Sequence, residues 1–266
     1  MTVRPLISMA LAGSMLAGGC SRWYTTPALP VRHSRVLDQL VVFSDLPLPQ
    51  HHRLLEDLRA QRTVVSAKLA LPISDEPIHV YLFPTAEKLE AFLRVQYPAL
   101  PKRRAFFVES DTRLSVYAYW GDRVAEDLRH EVAHGYLHAI VPNLPLWLDE
   151  GLAEYFEVPR GLAGLNRAHL DALTGPSAAS WRPDLQRLES LRSTGDMTQS
   201  EYAESWAWVH WLLESSPQRL HLLQHYLQSL VKSPGSEPLS EPLRRAEPEC
   251  GQHVQDHLAM LRQSLQ

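Results

Sequence analysis

Short apolar runs bounded by turn residues fill the first part of the chain, and longer stretches with helical spacing fill the rest. Val36–Phe43 reads as a strand. Leu54, Leu55, Leu58, Val65 and Leu69 form a broad apolar face, which predicts a helix from about Pro49 to Leu69. Ile78–Phe83 is a short strand closed by Pro84, and Thr85 is placed to cap a helix running to about Gln96. Arg104–Val108 and Leu114–Tyr119 predict two strands around a turn at Glu109, Ser110 and Asp111. A long helix is expected from Asp122 to about Ile140, where Pro142 and Pro145 stop it. Further helices are predicted near Leu146–Pro159, Leu162–Leu173, Pro183–Leu191, Gln199–Glu214, Pro217–Val231 and Pro248–Gln263, with Ser233–Pro242 as a polar loop. Strands first and helices second predict an α+β fold, with a small mixed or antiparallel N-terminal sheet and a mainly helical second half.

The N-terminus departs from this pattern. One charge at Arg4 precedes a nearly unbroken apolar or small stretch, and Leu16-Ala17-Gly18-Gly19 ends it at Cys20. The stretch is too short to span a bilayer comfortably. Its order of charge, apolar run and small residues predicts a signal peptide over residues 1–19. The Cys after small residues resembles the lipobox of bacterial lipoproteins, in which that Cys is acylated. The usual Leu three places earlier is Ala17 here. A plain secretory signal and a membrane-anchoring segment are the alternative readings. Residues 20–33 then form a tether with Pro27 and Pro30, and residues 34–266 form the domain. Ser21 resembles an outer-membrane sorting residue, so the expected location is the bacterial envelope, lipid-anchored and facing the periplasm. Only Cys250 remains besides Cys20, so no internal disulfide is expected.

Composition narrows the function classes. The 266 residues are 45% hydrophobic and 21% charged, an ordinary globular balance. The formal net charge is −4, and it falls to −5 once the signal segment removes its one Arg. Nucleic-acid binding, which would want a basic stripe, is not expected. Attraction to anionic lipid is not expected either, so acyl chains would have to provide any membrane attachment.

The chemistry concentrates in His130-Glu131-Val132-Ala133-His134. On a helix, residues four apart share a face, so two imidazoles can ligate one zinc ion. Glu131, beside the first ligand, can take a proton from water at the metal's open position. A third protein ligand is needed. Glu150, in Trp147-Leu148-Asp149-Glu150-Gly151-Leu152-Ala153-Glu154-Tyr155, lies 16 residues past His134, enough to end one helix and begin another beside it.

The two motifs together resemble the gluzincin metallopeptidases. The second is similar to the "WLNEG" segment of aminopeptidase N relatives, and more closely to bacterial proteins grouped as peptidase MA-like. The resemblance covers about residues 75–230 and is specific at the two motifs. It implies zinc held by His130, His134 and Glu150, with Glu131 as general base. It also implies an oxyanion donor: Tyr202, opening a later helix, occupies a similar place to the family's Tyr, or else it is a core residue beside Trp206 and Trp208. The resemblance further implies a peptide laid along an edge strand, and Leu114–Tyr119 is either that edge or an ordinary paired strand. The Gly-x-Met-Glu-Asn segment that reads a free amino terminus is missing, which argues against aminopeptidase activity. The metzincin pattern fails at Leu137 and Ile140.

Two neighbours complete the candidate set. Glu154 shares the face of Glu150, and orienting a ligand imidazole, forming a salt bridge and serving as the ligand itself are all open to it. His138 continues the histidine series, but it lies about 12 Å from His130 along the helix axis and is expected to be structural or exposed. The expected function is a zinc metallopeptidase acting on peptide or protein substrates in the cell envelope. A non-catalytic zinc-containing lipoprotein that binds a partner, and a zinc amidase, are the alternatives.

Overall fold

A computed structural model describes residues 27–233 and 235–265. The expected signal segment, Cys20 and the start of the expected tether lie outside the described residues. The fold is α+β: a five-stranded mixed sheet followed by a mainly helical region.

The sheet contains β1 (His33–Leu37), β2 (Leu40–Ser44), β3 (Ile78–Phe83), β4 (Ala105–Ser110) and β5 (Arg113–Tyr119), in the order β1-β2-β3-β5-β4. The single strand expected over Val36–Phe43 is instead an antiparallel hairpin. Asp38 turns it, at a φ of 52° that Asp tolerates better than most residues. The tether ends sooner than expected, because pairing already begins at His33. The central strands β2, β3 and β5 run parallel to one another; α1 (Arg53–Leu69) links β2 to β3, and α2 (Ala86–Gln96) follows β3. Thr85 caps α2 as expected, accepting from the Lys88 N–H.

β4 and β5 pair antiparallel with Ser110 opposite Arg113, so the turn is Asp111-Thr112, slightly later than the sequence suggests. β5 lies between β3 and β4, so it is not an edge strand; β4 is. Alternation along the strands sorts two cores. Val80, Leu82, Val116 and Ala118 face the helical half, while Tyr81, Phe83, Phe106 and Tyr117 pack under Leu89 and Phe92 of α2.

The helical region comprises α3 (Val124–His138), α4 (Leu146–Phe156), α5 (Arg167–Thr174), α6 (Leu185–Ser190), α7 (Gln199–Glu214), α8 (Pro217–Lys232), α9 (Ser240–Ala246) and α10 (Cys250–Ser264). α9 begins inside the segment expected to be loop, and α5 starts at an Asn166 cap several residues later than expected. α3 lies on the sheet, with Gly135 against Ile78; a Cβ there would stand 3.0 Å from the Ile78 side chain. α4 packs between α3 and α7. Gly151 makes that possible, because a Cβ would stand 2.6 Å from the Ser205 carbonyl oxygen. Trp206, Trp208 and Trp211 of α7 are fully buried packing residues, as expected. No helix among the described residues is long and apolar enough to cross a membrane.

Candidate metal centre

α3 and α4 bring the three expected ligands together. His130 and His134 stand one turn apart on α3, with Nε2 atoms 3.2 Å apart. Glu150 Oε2, from α4, lies 3.5 Å from His130 Nε2 and 3.7 Å from His134 Nε2. Four-coordinate zinc with bonds of about 2.05 Å separates its ligand atoms by about 3.3 Å. The observed triangle has that size without any rearrangement.

The protonation pattern points the same way. His130 Nδ1 faces Glu157 Oε2 at 3.0 Å, and His134 Nδ1 faces Asp149 Oδ1 at 2.7 Å. An ionised carboxylate only accepts, so with both acids ionised each Nδ1 carries the hydrogen. Both Nε2 atoms of the neutral rings then present lone pairs to each other and to Glu150 Oε2. That carboxylate oxygen is buried and has no hydrogen-bond partner. Three facing acceptors in a buried pocket repel unless a proton or a metal ion lies among them. Burial pushes both rings toward neutrality. The carboxylates outweigh it: Glu150 and Glu157 hold the His130 pKa well above its ordinary value, and Asp149 raises that of His134. The field of this pocket favours positive charge, and the buried His130/His134/Glu150 group could hold a metal ion.

Glu131 is also enclosed. Burial raises its carboxyl above the ordinary range, against the pull of His130 and His134 and of a backbone hydrogen bond from Phe107 on edge strand β4. The Phe107 ring stacks on His134 with centroids 5.8 Å apart, closing that flank with an apolar wall. The other side opens into a cleft of about 980 Å³ lined by His130, Glu131, Glu154, Glu157, Arg103 and Tyr202. Tyr202, in the first turn of α7, is nearly buried, and its Oη accepts from Arg103 Nη2 at 2.9 Å. Burial and the nearby Glu150 raise its phenol pKa.

Two acids act where the sequence did not assign them. The acid against His130 is Glu157, not Glu154. Glu154 instead accepts from His169 Nε2 at 2.7 Å and from Asn166 at 3.3 Å; burial would raise its pKa, but His169, His130 and a hydrogen bond with Glu157 outweigh that and hold it at about 2. Asp149 serves two rings: Oδ2 also accepts from His138 Nε2 at 2.9 Å, while His138 Nδ1 reaches Glu109 at 2.8 Å. His138 is therefore structural, as expected, and the two acids raise its pKa to about 10 against burial. Asp149 adjoins the candidate ligand Glu150 in sequence, and Glu157 lies seven residues beyond it. An acid beside or two turns from a ligand on the same helix is the signal that could have found them.

Two imidazoles and one carboxylate, each imidazole backed by its own acid and facing an open cleft, define a candidate metal site on an α+β scaffold. Residues 124–235 match a family model described as "Protein of unknown function (DUF1570)". The match begins at the first residue of α3 and ends just after α8, so it contains every candidate ligand and names no activity. No curated protein matches the chain.

Proposed function

We propose that this chain is a zinc-dependent hydrolase that cleaves peptide bonds in the bacterial envelope. The observation that carries this reading is the triangle of His130, His134 and Glu150 donor atoms, each imidazole anchored by an acid, with an orphaned carboxylate oxygen at its apex. Two neutral imidazoles and one carboxylate suit zinc, and three protein ligands beside an open cleft suit a catalytic rather than a bracing role. Bound there, zinc would supply Lewis acidity, polarising a carbonyl and making water a better acid.

The remaining chemistry falls to the protein's own groups. Glu131 takes one proton from water as the oxygen adds to the carbonyl carbon. It then gives that proton to the nitrogen as the C–N bond breaks. Its raised pKa suits both halves of that transfer. Tyr202 Oη accepts from Arg103, which leaves its own hydrogen free to donate to the developing oxyanion. The edge strand β4 beside Glu131 offers unpaired backbone groups along which an extended peptide could lie.

The test combines metal analysis with hydrolysis of a peptide library. Wild type should bind one zinc per chain and cleave peptides. Glu131→Gln should keep the zinc and lose turnover. Tyr202→Phe should keep the zinc and lose about 10²- to 10³-fold in kcat, the usual cost of one oxyanion donor. Full activity in zinc-loaded Glu131→Gln protein would refute the reading. For location, Cys20→Ala should move the chain from the membrane to the soluble fraction.

A further inference from the structure

Most cations around the cleft are already engaged. Arg104, Arg123 and Lys102 pair with Asp127, Glu126 and Glu90, and Arg129 pairs with Asp57. Arg103 and Arg167 have no acidic partner within ion-pair distance among the described residues. Arg167 stands exposed at the start of α5. Arg103 is also exposed, but it is held against the candidate centre by Tyr202. Its Nη2 donates to Tyr202 Oη at 2.9 Å, and its guanidinium carbon lies 5.8 Å from the centroid of the Tyr202 ring. These two contacts orient the fork and use one of its N–H groups, leaving the others for the cleft.

The charge balance gives that fork a purpose. Besides Tyr202, the acidic groups whose fields act on Arg103 include Glu150 and Glu131. A divalent ion held by His130, His134 and Glu150 would balance those two negative charges. The guanidinium would then be a positive charge with no ion-pair partner among the described residues, one hydrogen bond from the proposed oxyanion donor. A planar fork in that state fits a carboxylate with two parallel N–H···O bonds.

We infer that Arg103 is a specificity-determining residue that receives a carboxylate of the substrate next to the scissile bond. This rests on the hydrolase reading above and adds a substrate class to it: peptides bearing an acidic side chain or a free C-terminal carboxylate at that position.

The experiment uses acetylated pentapeptides in matched pairs, Glu against Gln at each position and free against amidated C-terminus. Two readouts are taken on the full chain. One is kcat/KM of the zinc-loaded protein; the other is calorimetric binding to zinc-loaded Glu131→Gln protein, which needs no turnover. In one pair the acidic member should be favoured by about 10- to 100-fold in both readouts, the range for a charge-assisted pair. The pair that responds identifies the source, side chain or C-terminus. Arg103→Met should erase the preference by weakening the acidic member more than the neutral one, and Arg103→Lys should restore part of it. Zinc content and circular dichroism check that both variants fold.

Equal or absent binding of the two members, or a preference that survives Arg103→Met, would overturn the inference. So would a uniform fall across all pairs, which would leave Arg103 only a support for Tyr202. Acid-selective binding without hydrolysis of any peptide would sink the peptidase reading and leave the anion site standing. Hydrolysis without acid preference would do the reverse.

Discussion

Asp149→Asn is the most informative single change at the centre, because it alters charge while nearly preserving shape. Asp149 takes the His134 Nδ1–H at 2.7 Å and His138 Nε2 at 2.9 Å, in a largely buried setting. Burial alone would raise its pKa, but the two rings hold it well below the carboxylate range, so it is firmly ionised. An Asn oxygen could keep the His134 bond and its orientation. That bond would lose its charge assistance, which is worth roughly half its strength. His134 would then be a poorer donor at Nε2. Removing such an outer partner costs about 10- to 100-fold in metal affinity, or about 1.4–2.7 kcal/mol. Glu157→Gln should cost a similar factor, since Glu157 does the same for His130.

The assay is zinc competition against a chelating dye at fixed neutral pH, with thermal unfolding of the metal-free proteins as a check on folding. Both variants should fold and bind zinc 10- to 100-fold more weakly than wild type. An affinity within twofold of wild type for Asp149→Asn would refute the claim that this acid tunes the ligand. A loss of affinity matched by loss of the metal-free fold would assign Asp149 to stability instead.

Two further outcomes follow from the same geometry. Glu150→Ala should abolish stoichiometric zinc while Glu154→Ala retains it, because Glu154 is committed to His169; elemental analysis of both proteins decides, and the opposite pattern would move the third ligand to α4's next turn. His210 is buried against His257, its Nδ1 2.9 Å from that ring's Nε2, and burial together with His257 lowers its pKa to about 4. The unfolded ring titrates near 6.5, so the unfolded chain takes up the proton first as pH falls. The contribution is full above about pH 6.5 and is lost toward pH 4, amounting to about 2 kcal/mol between pH 7 and pH 5. Urea unfolding at the two pH values should show a smaller pH dependence in His210→Gln than in wild type; equal dependences would refute it.

What the sequence disclosed and what it withheld divide along a physical line. Residues that share a helical face are set by a local period, so His130 and His134 were legible from spacing alone. A two-motif pattern supplied Glu150. The strands Ile78–Phe83 and Leu114–Tyr119 were legible from apolar content, but their neighbours in the sheet were not. Order is decided by how α1 and α2 carry the chain across, and so the edge fell to β4. The hairpin at Asp38 was hidden because β1 and β2 read as one apolar run, and a left-handed Asp is a weak signal.

The acids behind the imidazoles were hidden for a different reason. Asp149, Glu150, Glu154 and Glu157 all sit on or just past one short helix, and the period alone groups Glu150 with Glu154. Which acid meets which ring depends on how far α4 is rotated and how closely it approaches α3. That pose is fixed where Gly151 lets α4 settle against the backbone of α7, where His169 draws Glu154 away from the ligands, and where Asn166 Nδ2 donates to Glu157 at 3.0 Å. A Cβ at position 151 would meet the Ser205 carbonyl, so even Gly151→Ala must shift α4, which carries Asp149 and Glu150, or α7 against it. The glycine after Glu150 thus helps to set the geometry of the candidate site, although it contributes no donor atom. No pattern of apolar spacing contains that constraint; it belongs to the packing of two helices whose contact lies more than fifty residues apart in the chain.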